Sequence, residues 1–238
     1  MNRHDNRAVD TLRAIKITPH FIGSAHGSVL IEWGRTRVIC TAMIEDGVPP
    51  FREESGKGWL SAEYAMLPAS TSRRKRRETL KPDGRSTEIK RLIGRSLRCI
   101  VDFAALGPRT VWIDCDVIEA DGGTRTASIT GSYLALALAI QHALEKGKLD
   151  KNPITTQLAA VSVGIVGGIP VLDLPYVEDS RADVDMNIVM TGNGEFVEIQ
   201  GTGEGRSFSR DEMNELLDLA GKGIGELFEL QNNTLGGL

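Results

Sequence analysis

The chain has 238 residues, 41% of them apolar and 25% charged, with 26 Gly and 9 Pro, a globular balance that excludes a disordered or collagen-like polypeptide. Its longest apolar run, around Ala135–Ile140, falls far short of the ~20 residues that cross a bilayer, so no membrane partner is expected. The formal charge of −4 excludes an all-over nucleic-acid coat, yet between Ser70 and Arg98 eleven Lys/Arg face three acids, and the rest of the chain carries 17 against 29. A basic segment on an acidic body suits one anionic ligand held in one place. Cys40, Cys99 and Cys115 cannot pair completely and lie in apolar stretches, where reduced, core-filling thiols are expected. The polar Met1–Arg7 segment has no apolar signal core, and together these features predict a cytoplasmic protein.

Residues 14–18, 28–33 and 37–44 alternate as strands, the last two joined by a turn at Arg35-Thr36. Gly47 opens a loop through Gly58, Trp59–Leu67 forms a fourth strand, and Pro68–Asp83 is a polar, basic loop. From Gly84, apolar residues Ile89, Leu92, Ile93, Leu97, Ile100, Val101 and Phe103 recur at helical spacing. Thr110–Ala120 is rich in β-branched residues, and Thr126–Glu145 is a nearly all-apolar helix that should be buried on several sides. Further strands follow at Leu158–Val166, Ile169–Leu174, Val184–Thr191 and Glu195–Gly201, with glycine turns at 167–168 and 192–194. Ser209-Arg210-Asp211-Glu212 is a capping box that opens the last helix. Gly221, Gly223 and Gly225 predict a kink or break within it, and residues 232–238 a frayed end. No linker interrupts the chain, so one α/β (α+β) domain of mixed sheets packed with helices is expected over 1–238, with halves at about 14–145 and 155–230.

Chemistry concentrates at two strand- or loop-to-helix junctions. Asp121-Gly122-Gly123-Thr124-Arg125 precedes the apolar helix, and a helix N-terminus attracts anions through unpaired N–H groups and its dipole. Gly123 lets a phosphate approach the backbone, Thr124 adds a hydroxyl, and Arg125 a forked cation; an ordinary capped turn is the competing reading. Asp83-Gly84-Arg85 makes a similar junction, with Arg85 as a second jaw or a solvated side chain. Arg73, Arg74, Arg76 and Arg77 could grip a phosphate backbone, and the lack of interleaved aromatics gives no sign of base stacking. Glu178, Asp179, Asp183 and Asp185 cluster before a strand as hard oxygen donors suited to Mg²⁺, or as plain surface acids. Asp114 and Asp116 share a strand face, where flanking Val111, Ile113 and Val117 make a structural role at least as good a reading as a functional one, and the four histidines show no zinc spacing.

These blocks resemble the ribonuclease PH family. The resemblance runs through Gly84-Arg85-Ser86-Thr87-Glu88-Ile89, Asp114-Cys115-Asp116-Val117 and Ala120 to Gly131, and on through Tyr176–Ser180, Asp185-Met186-Asn187 and Phe196–Thr202. It extends in order from about Gly27 to the last helix. The resemblance implies a ribosomal-protein-domain-like βαβα fold and a phosphorolytic 3′→5′ exoribonuclease that trims tRNA precursors, with inorganic phosphate attacking the last diester to release a nucleoside 5′-diphosphate. It further implies phosphate at Arg85, Gly123, Thr124 and Arg125, and catalysis or Mg²⁺ binding at Asp179 and Asp185. It also implies tRNA contacts from Arg73, Arg74, Arg76 and Arg77, and a homohexamer built as a trimer of dimers. Two rivals stand beside this reading: a non-catalytic RNA-gripping ring subunit and a metal-dependent hydrolytic nuclease.

Overall fold

Alternating apolar residues in the first half build a five-stranded sheet. A computed structural model describes residues 3–77 and 83–236. In it β1 (Ile15–Pro19), β2 (Gly27–Trp33) and β3 (Thr36–Asp46) form an antiparallel meander. β3 pairs antiparallel with β5 (Arg109–Glu119), and β4 (Trp59–Met66) joins β5 in parallel, giving the order β1-β2-β3-β5-β4. The period-2 pattern sends Val38, Cys40, Ala42 and Ile44 of β3 and Val111, Ile113, Cys115 and Val117 of β5 into the core. The helices α1 (Gly84–Arg98) and α3 (Thr124–Glu145) cover this sheet.

The second half forms an antiparallel sheet of β6 (Leu158–Val166), β7 (Ile169–Leu172), β8 (Val184–Thr191) and β9 (Phe196–Gly203), in the order β7-β6-β8-β9. α3 also packs on β6, which ties both sheets into one core, and α5 (Arg210–Gly236) covers β6, β7 and β8. β6 is therefore buried at every position. α3 is, by length and composition, the one described helix able to cross a membrane, but 78% of that window is buried between the sheets. Its apolar character serves the core.

Several local expectations are corrected. The periodic stretch expected to run from Gly84 to Phe103 ends at Arg98; Val101 bridges to Ile154, and Phe103 opens the separate short helix α2 (Phe103–Leu106), capped by Asp102. Cys99 is exposed, unlike buried Cys40 and Cys115. The loop after Gly47 contains a 3₁₀ helix, Pro50–Ser55, and the turn between β2 and β3 is Gly34-Arg35. β7 stops at Leu172, and α4 (Tyr176–Asp179) follows. The basic loop is not wholly exposed, since Ser70 is buried; its 78–82 stretch lies outside the described residues. The capping box forms, with Ser209 Oγ accepting from Glu212 N at 3.1 Å and Glu212 accepting from Ser209 N at 2.7 Å. α5 is unbroken through its glycines and helical to Gly236, because Ile224 between two of them and Leu227 and Gln231 beyond them are buried; residues 237–238 lie outside the described residues.

Candidate active site

The turn between β5 and α3 is built so that its carbonyls point away from the helix end. Gly122 and Gly123 hold φ of +76° and +69°, a region that L side chains avoid. A Cβ on Gly122 would sit 2.6 Å from Leu174 O and 2.7 Å from Tyr176 N. The Asp121 carbonyl accepts from Arg13 Nη1 (2.7 Å) and Tyr176 N (3.2 Å). Gly122 O accepts from Thr36 Oγ1 (2.7 Å), and Gly123 O from Thr126 Oγ1 (3.0 Å) and Ala127 N. No side chain caps the N-terminus of α3, so its first amides and dipole are available to an anion.

Side chains from five other elements complete the site. Tyr64, on β4, donates its hydroxyl to Thr124 Oγ1 at 3.0 Å, which leaves the Thr124 proton to point elsewhere. Arg125 Nη1 donates to Gln200 Oε1 on β9 and lies 3.3 Å from Glu88 on α1. Arg85 stands exposed in the first turn of α1, whose N-cap is Asp83, accepting from Ser86 N and paired with Lys75 at 3.0 Å. Asp179 closes α4, and Asp185 lies on β8 opposite Gly164 of β6 and Thr202 of β9. Asn187, two residues on, shares its face and faces Ser162 and Gln200 across the sheet.

Arg85, Gly123, Thr124, Arg125, Asp179 and Asp185 line one cleft of about 70 Å³, with Ser162, Leu174 and Asn187. A second cavity of about 450 Å³ adjoins it, sharing Arg85, Gly123, Thr124 and Asp179 and adding Met66, Arg73, Arg74 and Tyr176. The first volume fits a small oxyanion and the second a nucleotide. Burial raises the Asp179 carboxyl, against the charges of Arg85 and Arg125. Burial, then the charge of Asp179, pushes Asp185 up to about 6. Two cations and two carboxylates therefore act on one another within a small volume.

Not every sequence candidate falls here. Arg76 and Arg77 are exposed but line neither cavity. Glu178 is buried in an ion pair with Arg3, a structural role, and Asp183 lies beside the 204–205 backbone, outside both cavities. Asp114 and Asp116 sit outside both cavities too, their carboxyls raised mainly by burial. Sequence reasoning missed Tyr64, Glu88, Asn187 and Gln200. Glu88 was detectable, three residues after Arg85 on one helix face; Tyr64 and Gln200 depend on cross-sheet placement. Among the described residues no group of three or more His, Cys, Asp or Glu side chains could by itself hold a metal ion. Asp179 and Asp185 nevertheless fit Mg²⁺, which takes one or two carboxylates beside waters and substrate phosphates. Their mutual repulsion is the charge such an ion would balance.

An uncapped helix end flanked by two arginines and two acids, in a two-sheet α/β fold, is a set of groups with the chemistry to bind a phosphate. Residues 11–140 match the model of the 3′ exoribonuclease family, domain 1, and residues 156–223 that of its domain 2. The chain belongs to the 3′ exoribonuclease family. It is similar to ribonuclease PH of Syntrophomonas wolfei, 58% identical over 238 residues, covering 99% of this chain and all of that protein. It is likewise similar to ribonuclease PH of Corynebacterium glutamicum, 59% identical over 237 residues, covering 99% of this chain and 97% of that protein. Among solved structures, a chain of the Archaeoglobus fulgidus exosome with RNA bound to the active site superposes with a TM-score of 0.82 at 25% identity, over 96% of this chain and 92% of that one. Rice Rrp46 shares the fold at a TM-score of 0.79 and 18% identity, over 98% of this chain and all of that one.

Proposed function

We propose that this protein is a phosphorolytic 3′→5′ exoribonuclease that trims the 3′ ends of tRNA precursors. The observation that carries the reading is the 70 Å³ cleft, where Arg85, Arg125 and the uncapped end of α3 face Asp179 and Asp185. Inorganic phosphate occupies it, and the terminal nucleotide of the RNA takes the adjoining 450 Å³ cavity. A phosphate oxygen attacks the phosphorus of the last 3′ diester, and the bond from that phosphorus to the 3′ oxygen breaks. The products are a nucleoside 5′-diphosphate and an RNA one residue shorter, whose 3′ oxygen takes a proton. Run backwards, the same reaction adds nucleotides from diphosphates.

Two anions must meet, so the residues work mainly by neutralising and aligning. Arg85, Arg125, Thr124 and the amide at Gly123 hold the attacker. Asp185, raised to about 6 by burial and the charge of Asp179, suits delivery of a proton to the leaving oxygen near neutral pH only while it is not coordinating a cation. Asp179 and Asp185 would hold Mg²⁺, which when bound supplies positive charge at the diester and leaving oxygens. Arg73 and Arg74 at the cavity wall, with Arg76 and Arg77 beyond it, bind the RNA backbone without reading its sequence.

The assembly is a homohexamer, a trimer of dimers, a reading that rests on membership of the ribonuclease PH-like family. Light scattering at six times the 25.8 kDa chain mass is the expected result. Three free cysteines support a reducing, cytoplasmic setting. The test of activity uses RNA with a short single-stranded 3′ tail and Mg²⁺, with and without phosphate. Diphosphates formed only with phosphate support phosphorolysis; monophosphates without it support hydrolysis, and no product supports a binding subunit.

A further inference from the structure

The segment before β1 reaches the back of the phosphate turn through one buried carboxylate. Asp173 is 1% exposed and follows β7 with a left-handed φ of +57°, a conformation Asp tolerates better than most residues. Its carboxylate accepts from Arg13 Nη2 (2.7 Å), Arg13 N (2.6 Å) and Trp33 Nε1 (2.9 Å), and lies 3.2 Å from Arg7 Nη1. Arg13, itself 6% exposed, spends its remaining donors on the turn: Nη1 on Asp121 O at 2.7 Å and Nη2 on Gly122 O at 3.4 Å. Burial works to raise the Asp173 carboxyl, but the Arg13 charge and the donors around it hold it below the usual range. The backbone N–H of Asp173 donates to Ser162 O and that of Leu174 to Ser162 Oγ, and both Ser162 and Leu174 line the cleft.

We infer that Arg13 and Asp173 are positioning residues for the attacking anion, holding the 121–122 carbonyls backward so that the α3 amides face the cleft. Neither lines either cavity, so they act through the turn. A guanidinium is needed because its planar fork reaches a carboxylate and two carbonyls at once. Asp173 is needed because a buried cation without a counter-charge is costly. The inference rests on reading the cleft as the phosphate site.

The decisive variant is Arg13→Lys, which keeps a cation beside Asp173, while a single Nζ cannot also serve both carbonyls. Its phosphate KM should rise at least tenfold, while kcat at saturating phosphate and the KM for RNA stay within about twofold of wild type. Asp173→Asn, of equal size, should shift phosphate KM in the same direction. A purely structural role would lower Tm and leave phosphate KM alone. Either folded variant with wild-type phosphate KM overturns the inference, as does loss of fold in both. If the wild-type protein forms no diphosphate, the phosphate reading itself fails, independently of these variants.

Discussion

Arg85 and Arg125 approach the cleft from different helices, so each should contribute separately to holding phosphate. A hydrogen bond to a charged group contributes about 1.5–3 kcal/mol. Arg125→Ala or Arg85→Ala should therefore raise phosphate KM roughly ten- to hundredfold, with the KM for RNA moving much less; initial rates across phosphate concentrations check this. Asp185 makes a pH prediction. Its carboxyl, raised to about 6 by burial and by Asp179, keeps a proton in the folded chain at pH values where the unfolded chain has lost it. The charge thus costs stability above about 6 and nothing below the ordinary carboxylate range. With EDTA present, Asp185→Asn should stabilise the protein by about 1–2 kcal/mol at pH 7.5, allowing for solvent screening. The gain should fade towards pH 4; an equal gain at both pH values would contradict the assignment. At this scale the residues that line the cleft were legible, because Gly-Gly-Thr-Arg at a strand-to-helix junction has a physical meaning on its own. Asp173 and Arg13 were not: 160 residues separate them, and only the folded chain makes them neighbours.

At the scale of elements, α5 tests how packing overrides local propensity. Three glycines should weaken a helix, each by up to ~1 kcal/mol, yet α5 continues because apolar residues on both sides of them are buried against the second sheet. The three should answer substitution differently. At Gly221 and Gly225 a Cβ meets nothing within 4 Å, whereas at Gly223 it lies 2.8 Å from Cδ1 of buried Leu172. Gly225→Ala and Gly221→Ala should each stabilise by about 0.5–1 kcal/mol. Gly223→Ala should destabilise by about 1–3 kcal/mol through overpacking. Urea denaturation of the three single variants decides. Strand and helix types were largely legible from their periods, and ends were not. α1 stops at Arg98 although apolar residues continue at helical spacing, because Val101 pairs with Ile154, a long-range contact that no local pattern contains.

Over the whole molecule, charge is sorted rather than spread. The net charge is −4, yet Arg73, Arg74, Arg76 and Arg77 stand exposed beside the larger cavity or beyond its wall. RNA affinity should accordingly fall steeply with salt. Replacing all four arginines by Ala should flatten that dependence by about 0.7 in log–log slope per lost phosphate contact. The phosphate KM should stay unchanged, which binding titrations at several salt concentrations and parallel kinetics would check. The central claim, that the cleft seats inorganic phosphate as the attacking reagent, is tested most directly by isotope. Trimming of a 3′-tailed RNA in ¹⁸O-labelled phosphate, followed by mass spectrometry of the released nucleotide, should find the label in the β-phosphoryl group of a nucleoside diphosphate. An unlabelled monophosphate as the main product, or oxygen drawn from solvent water, would contradict the account.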